Sequence, residues 1–161
     1  MPDIKRLGRD EWNVLRDLRL TALTESPENF LATAAGEDLY STEQWVAEFD
    51  QGSWFICEDG SEPVGLIGIA YESEKPYDGY NLEYLWVEPG SRNSGIASQL
   101  VANALALLRE LRCEITYLWI IDGNDEAMSL YKKVGFVSTN ERQELPDRPG
   151  QYEERMMLDL R

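Results

Sequence analysis

Apolar residues recur at helical spacing in two segments near the start of the chain. Across residues 11–23 they lie three or four positions apart, which predicts an amphipathic helix with Asp10 as its N-cap residue. Residues 41–49 show the same spacing. This second segment begins at Ser41, and Gln44 follows three positions later, which is the arrangement of a capping box. The pattern therefore predicts two early helices.

Two more helical stripes lie in the second half of the chain. The longer stripe covers residues 95–111 and ends near Arg109 and Arg112, cations that the negative end of a helix dipole favours. The shorter stripe begins at Asn124, a good N-cap residue, and ends at Gly135, where glycine readily adopts a left-handed C-cap conformation. These stripes predict a third and a fourth helix.

β-branched and aromatic residues fill most of the segments between these helices. The predicted strands are residues 4–7, 54–58, 62–71, 80–87, 114–121, 136–138 and 152–160. Residues 59–62 (Asp-Gly-Ser-Glu) have the composition of a tight hairpin turn, and residues 144–151 are predicted to form a loop. The resulting order of elements, β-αα-βββ-α-β-α-ββ, predicts a mixed α/β fold.

Composition narrows the chemistry that this fold can support. A chain of 161 residues that is 43% hydrophobic is long enough to bury the core of one domain. The sequence contains no histidine, which excludes a Ser-His-Asp triad, a Cys-His pair and a His-ligated zinc ion, and we expect no metal cofactor. Proton transfer must therefore use Glu, Asp, Tyr, Lys, Cys or water. Cys57 and Cys113 are isolated in the sequence, which fits two small buried side chains in a reducing compartment.

Charge and hydropathy restrict the partners of the protein. The formal net charge of −15 argues against general nucleic-acid binding, which depends on Lys and Arg side chains that neutralise phosphates. A cationic small molecule or a basic segment of another protein is the easier partner. No apolar run approaches the roughly 20 residues needed to span a bilayer, so we expect a soluble, cytoplasmic protein with no membrane partner.

Residues 87–98 (VEPGSRNSGIAS) join a predicted strand to the longest predicted helix. The first N–H groups of a helix lack internal partners and lie at the positive end of its dipole, so a turn that exposes them can bind an anion. The backbone amides of six mostly small residues can converge there: Asn93, Ser94, Gly95, Ile96, Ala97 and Ser98. Gly95 permits a close approach, and Arg92 supplies a long cationic side chain. This turn predicts a phosphate site, and the alternative is an ordinary strand-to-helix turn that binds nothing.

The element order and this turn resemble the bacterial members of the GNAT acetyltransferase superfamily. Residues 92–97 are similar to the family's pyrophosphate-binding motif, which has Arg or Gln, two variable residues, Gly, one variable residue, and Gly or Ala. Residues 124–136 (NDEAMSLYKKVGF) resemble a later helix of the family, with its Asn, its Tyr seven residues on and its Gly-Phe exit, and residues 18–30 resemble the N-terminal region of many members. The likeness covers nearly the whole chain. It departs from the commonest pattern at Asn93 and Ala97, where many members have glycine.

The resemblance implies a GNAT fold, which is a mixed, mostly antiparallel central sheet of six to seven strands flanked by about four helices, in a single domain over residues 1–161. It implies an acetyl-CoA-dependent N-acetyltransferase, in which a primary amine attacks the thioester directly within a ternary complex. A non-catalytic acetyl-CoA sensor, or a degenerate domain of this family, is the alternative. Homodimers are common in the superfamily, and a homodimer stays open for this chain.

The resemblance also assigns roles to residues outside the turn. The backbone at Leu85 and Val87 is expected to pair with the pantetheine arm as an added strand would, and a backbone N–H near Val87 to polarise the thioester carbonyl. Asn124 is expected to contact the pantetheine arm. Tyr131 lies seven residues further along the same helix face, roughly 10 Å away, and is expected to protonate the leaving thiolate. The alternative for Tyr131 is a core aromatic residue.

The base that takes the proton of the amine is not settled by the sequence. Strict alternation along residues 80–87 predicts two faces. They hold Asn81, Glu83, Leu85 and Val87 on one side and Leu82, Tyr84 and Trp86 on the other. Glu83 is then the candidate base, directly or through water, because it shares the cofactor-facing side. Many relatives place their Glu two residues earlier, at Asn81, so Glu83, Asn81 and ordered water all stay open, as does a surface or ion-paired role for Glu83.

The acidic residues are unevenly distributed along the chain. From Leu20 to Glu74 there is no Lys or Arg, while this stretch contains twelve carboxylates. The resemblance implies that the segment between the first two helices walls the acceptor side of the cleft, so we expect a cationic acceptor, either a small-molecule or a peptide amine. Glu37, Asp38 and Glu43 are expected to attract it. The alternative is a solvated acidic surface that serves solubility.

Overall fold

The computed structural model describes residues 2–161, in which seven strands form one sheet. The strands are β1 (Asp3–Arg6), β2 (Gly52–Asp59), β3 (Glu62–Glu72), β4 (Gly79–Val87), β5 (Ile115–Ile121), β6 (Val137–Leu145) and β7 (Arg148–Asp159). The helices are α1 (Trp12–Glu25), α2 (Ala34–Glu37), α3 (Thr42–Asp50), α4 (Ile96–Glu110) and α5 (Asp125–Val134). The strand order is β1-β2-β3-β4-β5-β7-β6, and β4 and β5 form the one parallel pair within these residues. The predicted mixed, mostly antiparallel sheet is thus confirmed.

The parallel pair is short and leaves a gap in the sheet. Its register covers only Tyr80 opposite Thr116 and Asn81 opposite Tyr117, where the Thr116 hydroxyl donates a hydrogen bond to the Tyr80 carbonyl oxygen at 3.0 Å. Beyond Asn81 the two strands separate, so the backbone of β4 from Leu82 onward has no partner in β5. An unpaired strand edge of this kind can accept an extended ligand as an additional strand.

Two clusters of buried apolar side chains fill the opposite faces of the sheet. α4 packs on one face through the stripe predicted from the sequence, and its buried residues are Ile96, Leu100, Val101, Ala104, Leu105 and Leu108. α1 and α3 cover the other face, where Trp54 and Trp86 join Leu15, Leu18 and Phe49. Burial of apolar surface on both faces holds the two layers of helices against the sheet.

Most of the predicted helix ends are confirmed, with one exception. The Ser41 hydroxyl accepts from the Gln44 N–H at 3.2 Å, and the Gln44 side chain accepts from the Ser41 N–H at 2.8 Å, as in a capping box. The prediction of Asp10 as an N-cap was wrong. A short 3-10 turn precedes α1, and the Gly8 N–H donates instead to the Glu11 carboxylate at 3.0 Å. This turn ties down the chain before α1, so α1 begins without a side-chain cap at Trp12.

The predicted loop at residues 144–151 was also wrong. β6 and β7 continue into this segment and leave only residues 146 and 147 in the turn between them. β7 pairs in register with β5 no further than Glu153, and the Asp122 N–H donates to the Tyr152 carbonyl oxygen at 3.0 Å, so residues 148–151 pair with β6 alone. A ribbon with a free edge tolerates residues such as Pro149 and Gly150 that a central strand would exclude.

Two smaller expectations have mixed outcomes. Cys57 is buried as predicted, whereas Cys113 is only half-buried and its thiol donates to the Ile115 carbonyl oxygen at 3.2 Å.

The sequence pattern also missed α2, because its four residues are too few to display a helical period. Within residues 2–161, no helix is both long and apolar enough to cross a bilayer.

Candidate active site

The turn between β4 and α4 has the backbone conformation that an anion cradle needs. Gly95 is the N-cap residue of α4 at φ +85°, and Asn93 also adopts a left-handed conformation at φ +60°. Asparagine is among the few residues that tolerate the left-handed region, which explains why Asn93 can stand where many family members have glycine. A Cβ atom added to Gly95 would meet no heavy atom within 4 Å. The space in front of the first amides of α4 is therefore open.

A cavity of about 660 Å³ lies in front of this turn. Of the predicted cofactor residues, its lining includes Leu85, Val87, Arg92, Asn93, Gly95, Ile96, Ala97, Ser98 and Asn124. The structure thus brings together side chains from the end of β4, the turn and the start of α5. Ser94 does not line the cavity, because its hydroxyl turns back to donate to the carbonyl oxygen of Ser91. Asn124 caps α5, where its side chain accepts from the Ala127 N–H at 3.4 Å.

Arg92 lines this cavity, but its side chain is already engaged. Its Nε atom donates to the Val87 carbonyl oxygen at 2.8 Å, and its Nη2 atom donates to Glu25 at 2.8 Å. Glu25 also accepts from the Trp86 indole at 2.8 Å and from the Ser26 hydroxyl. Partial burial raises the pKa of Glu25, but these hydrogen bonds and the charge of Arg92 outweigh it and lower the net pKa. The cationic side chain expected at this turn is therefore part of an ion pair.

The strict alternation predicted along β4 was wrong, because a β-bulge interrupts it. Leu66 of β3 lies opposite Trp86 and Gly68 lies opposite Glu83, so β4 has one extra residue between these pairs. Tyr84, inside this interval, has φ +57°. The extra residue exchanges the faces of the strand. Glu83 consequently lies on the α1 side of the sheet, whereas Leu85 packs with the α4 cluster on the other side.

Because of the bulge, Glu83 lines a different cavity from the one in front of the β4–α4 turn. This second cavity, of about 530 Å³, is lined by Asn81, Glu83 and Tyr131 among others. The two cavities share five lining residues, namely Asn29, Phe30, Leu85, Asn124 and Ala127. They therefore adjoin, and Leu85 is the β4 residue at their junction.

Tyr131 is placed in the second cavity by α5. Its ring packs edge-on against Phe136 with a centroid distance of 5.4 Å, and the residue is almost fully buried. Burial alone raises the pKa of its hydroxyl, which has no hydrogen-bond partner within residues 2–161. The hydroxyl is therefore protonated at neutral pH and able to donate.

Glu83 is half-buried, and its carboxyl group has no hydrogen bond or salt bridge in the described part of the chain. Burial raises the pKa of its carboxyl group to about 7; Arg19 lowers it, while Glu48 and Glu37 raise it. A carboxylate with a pKa near neutrality is suited to accept a proton at physiological pH. Asn81 also lines the cavity, but its amide donates to the Gly79 carbonyl oxygen at 3.3 Å.

A buried cluster around Arg19 lies beneath Glu83, and the sequence pattern did not reveal it. The Arg19 guanidinium donates to Glu37, to Glu48 at 3.1 Å and to the Tyr84 hydroxyl at 3.0 Å. It also lies 4.2 Å from the centroid of the Tyr84 ring. Glu37 is only 3% exposed, so the expectation that it attracts acceptors from solution was wrong. Its charge is neutralised inside the protein by a cation 18 positions away in sequence.

Ion pairing also reduces the free charge of the acidic segment. Five of its twelve carboxylates form salt bridges: Glu25 with Arg92, Glu37 and Glu48 with Arg19, Asp50 with Arg9, and Glu58 with Lys5. The number of carboxylates in this segment therefore overestimates the negative electrostatic potential around the cleft. Among residues 2–161, no three acidic or cysteine side chains are grouped closely enough to hold a metal ion.

Comparison with known proteins agrees with this fold. The model of the acetyltransferase (GNAT) family matches residues 13–136. The chain belongs to this family, and its sheet and helices confirm the predicted GNAT fold.

Sequence relatives include the peptidyl-lysine N-acetyltransferase YjaB of Salmonella typhimurium, which is 29% identical over 125 residues. This match covers 76% of the present chain and 74% of YjaB. The chain spans between 36% and 74% of the length of the curated relatives that it matches.

Solved structures of the same fold are similar over the whole chain. An N-acetyltransferase from Staphylococcus aureus Mu50 has a TM-score of 0.81 at 15% identity, and the match covers 100% of this chain and 99% of that one. The structure of yncA from Salmonella typhimurium with its cofactor acetyl-CoA has a TM-score of 0.79 at 13% identity, with coverages of 100% and 95%. At these identities the likeness shows a shared fold.

Proposed function

We propose that this protein is an acetyl-CoA-dependent N-acetyltransferase that acts on a cationic primary amine. The observation that carries the proposal is the junction of the two cavities at Leu85. One cavity contains the open amides of the phosphate turn, and the other contains Glu83 and Tyr131. An anionic, extended donor and an amine acceptor can meet at that junction.

The residues present fit acetyl-CoA. The left-handed Gly95 leaves the first amides of α4 open to a pyrophosphate, and the unpaired edge of β4 beyond Asn81 offers hydrogen bonds to an extended amide chain. Asn124 borders both cavities, where it would contact that chain. The acetyl-CoA in the yncA structure, and the acetyltransferase names of the relatives, support this choice of donor.

Acetyl-CoA supplies an acetyl group as a thioester when it is bound. The residues of this chain would then accept and donate the protons that the reaction transfers. Glu83 accepts a proton from the acceptor ammonium group, either directly or through a water molecule, which leaves a neutral nitrogen whose lone pair forms the N–C bond. The second proton on this nitrogen is lost to solvent as the amide forms. Tyr131 donates its hydroxyl proton to the sulfur atom as the C–S bond breaks. A backbone N–H of β4 at the junction, near Leu85, orients and polarises the carbonyl group. The resemblance implied an N–H near Val87 for this role, and we propose Leu85 because it lines both cavities.

The character of the second cavity supports a cationic acceptor. Its lining includes Glu72, Glu83 and Glu153 and contains no Lys or Arg. Aromatic side chains, including Tyr77 and Trp119, complete the walls. An ammonium group is attracted both by the carboxylates and by the faces of such rings. The peptidyl-lysine named for YjaB belongs to this chemical class. The single-domain organisation over residues 1–161, the cytoplasmic location and a homodimer stay predictions.

A panel of primary amines assayed with acetyl-CoA, with thiol release as the readout, tests the proposal. We expect turnover with cationic amines, and we expect kcat/KM to decline as ionic strength rises because salt screens the carboxylates. Uncharged and anionic acceptors should react poorly. Calorimetric binding of acetyl-CoA without turnover of any amine would instead identify the non-catalytic sensor. A preference for anionic acceptors would contradict the cationic assignment alone.

A further inference from the structure

Glu153 is a buried carboxylate that lies in the second cavity without a cationic partner. Its relative exposure is 3%, and it lines the cavity from β7. Its one side-chain hydrogen bond within residues 2–161 comes from the Gln143 amide, at 2.6 Å to Oε1. Burial raises the pKa of the Glu153 carboxyl group, and the Gln143 hydrogen bond partly opposes this. Buried carboxylates are normally matched by a cation, so this one lacks its usual compensation.

The nearest cation along β7 is Arg155, and it forms its salt bridge with a residue other than Glu153. Arg155 follows two residues later on the same strand, but its salt bridge is with Glu141 at 3.2 Å. The rings of Tyr117 and Tyr77 cover its guanidinium at centroid distances of 3.7 and 4.9 Å. Arg155 does not line the cavity, and its Nε and Nη2 atoms have no hydrogen-bond partner, so they do not bond to Glu153.

Glu153 and Glu83 lie on opposite sides of the gap in the sheet. Glu83 is on β4, and Glu153 is on β7, where it pairs in register with Ile121 of β5. The separation of β4 from β5 opens the cavity between them. Tyr77 and Trp119, whose rings meet edge-on at 5.3 Å, form an aromatic wall of the same cavity. The cavity therefore has the carboxylates of Glu83 and Glu153 at separate positions and an aromatic surface, while its lining carries no cation.

Building on the proposed acetyl transfer, we propose that Glu153, held by Gln143, binds a second cationic group of the acceptor. The preferred acceptor is then a diamine whose reacting nitrogen lies beside Glu83 and whose far ammonium group pairs with Glu153. Gln143 fixes one carboxylate oxygen and leaves Oε2 for the ligand. Burial strengthens this charge-assisted hydrogen bond relative to one on the surface.

The test compares diaminoalkanes with monoaminoalkanes of equal chain length, such as 1,6-diaminohexane with 1-aminohexane. It measures kcat and KM for the native protein, Glu153→Gln and the matched control Glu154→Gln. Glu154 is the next residue of β7, bonds to Ser138 and does not line the cavity. We expect the native protein to prefer diamines by about 10- to 100-fold in kcat/KM, the range of one hydrogen bond to a charged group.

Glu153→Gln should remove this preference through KM, with a much smaller loss on monoamines than on diamines and with an unchanged affinity for acetyl-CoA. Glu154→Gln should behave as the native protein. Equal use of diamines and monoamines by the native protein, or an equal loss of both in Glu153→Gln, would overturn the inference.

Calorimetric titration of the same diamines onto the protein–CoA complex separates this inference from the proposed enzyme activity. If no amine is acetylated, the proposed function fails. Diamine binding that disappears in Glu153→Gln would still support the second cation site. Absence of diamine binding, or binding that survives in Glu153→Gln, would overturn it.

Discussion

The two cavities that meet at Leu85 are built in different ways. The first cavity, where we propose that acetyl-CoA binds and which we call the cofactor cavity, depends mainly on one continuous stretch, residues 87–98, and on the start of α5. The second cavity, where we propose that the acceptor binds and which we call the acceptor cavity, draws its lining from β3, β4, β5, β6 and β7, from α5 and from residues that follow α1. Binding of a constant anionic group can rest on local backbone geometry, whereas acceptor specificity rests on side chains that only the folded sheet brings together.

The two cavities also use different physical interactions. The cofactor cavity offers backbone amides at a helix N-terminus, and its one long cation at the turn, Arg92, is shared with Glu25. The acceptor cavity offers carboxylates and aromatic faces. Substitutions that act on one cavity and not on the other can therefore test this division directly.

The largest effect is expected from Gly95→Val in the cofactor cavity. The valine would occupy the open space before the amides and would be strained at φ +85°. Because several charge-assisted hydrogen bonds would be lost, acetyl-CoA affinity should fall by about 100-fold or more. Gly60→Val is the control, since Gly60 has φ +66° and equally open surroundings in the β2–β3 turn. Isothermal titration calorimetry measures both, and an unchanged affinity in folded Gly95→Val protein would contradict the anion cradle.

The next effect is expected from Tyr131→Phe in the acceptor cavity. The substitution keeps the ring against Phe136 and removes only the proton donor. We expect kcat to fall on the order of 10²-fold while acetyl-CoA affinity stays unchanged. Tyr152→Phe, a partly exposed tyrosine on β7, should have no effect. A loss of affinity with kcat intact would assign Tyr131 to cofactor binding instead.

Glu83→Gln should lower kcat/KM by about 10- to 100-fold, somewhat less than Tyr131→Phe because water can partly replace the base. In the native protein, the pKa of about 7 predicts that kcat/KM rises with pH through neutrality as Glu83 loses its proton. This limb of the pH profile should disappear in the variant. A native profile retained by Glu83→Gln would mean that another titratable group, and not Glu83, produces this limb.

Ionisation of Glu83 should favour catalysis but lower the stability of the folded protein. Because its pKa in the folded protein lies above the ordinary value of 4.5, ionisation of Glu83 destabilises the fold above neutral pH. Glu83→Gln should therefore raise the melting temperature at pH 8, and this gain should shrink as the pH falls through 7 toward 4.5. A thermal melt at several pH values measures it, and a gain that grows toward acid would refute the burial of this charge.

The smallest effects concern the ion pair at the edge of the cofactor cavity. Arg92→Ala should weaken acetyl-CoA binding by about tenfold, at the low end for a charged hydrogen bond, because Val87 and Glu25 already engage this side chain. Glu25→Gln should strengthen binding by roughly two- to fivefold, the scale of a partly exposed ion pair, since Arg92 is then free to face the phosphate. Titration calorimetry of both variants at constant ionic strength distinguishes them by sign. Weaker binding in Glu25→Gln would mean that the pair holds Arg92 in place for the ligand.

Features that depend on neighbouring residues could be predicted from the sequence alone. The α4 stripe, the capping box at Ser41, the α5 limits at Asn124 and Gly135, and the small residues of the turn were all readable, because each is set by spacing within a few positions. The family resemblance rested on the same local motifs and is confirmed.

Features that depend on residues far apart in the sequence became visible only in the folded chain. The bulge at Tyr84 moves Glu83 to the other face of β4, and it arises from pairing with β3 that no local pattern within β4 encodes. Arg19 neutralises Glu37 across 18 residues, and Glu25 reaches Arg92 across 67. Gln143 and Glu153 join the cavity because β6 and β7 pair beside β5. A linear sequence lists the charges of a protein, but the free energy of each charge depends on its burial and its partners, which are set only when the sheet is assembled.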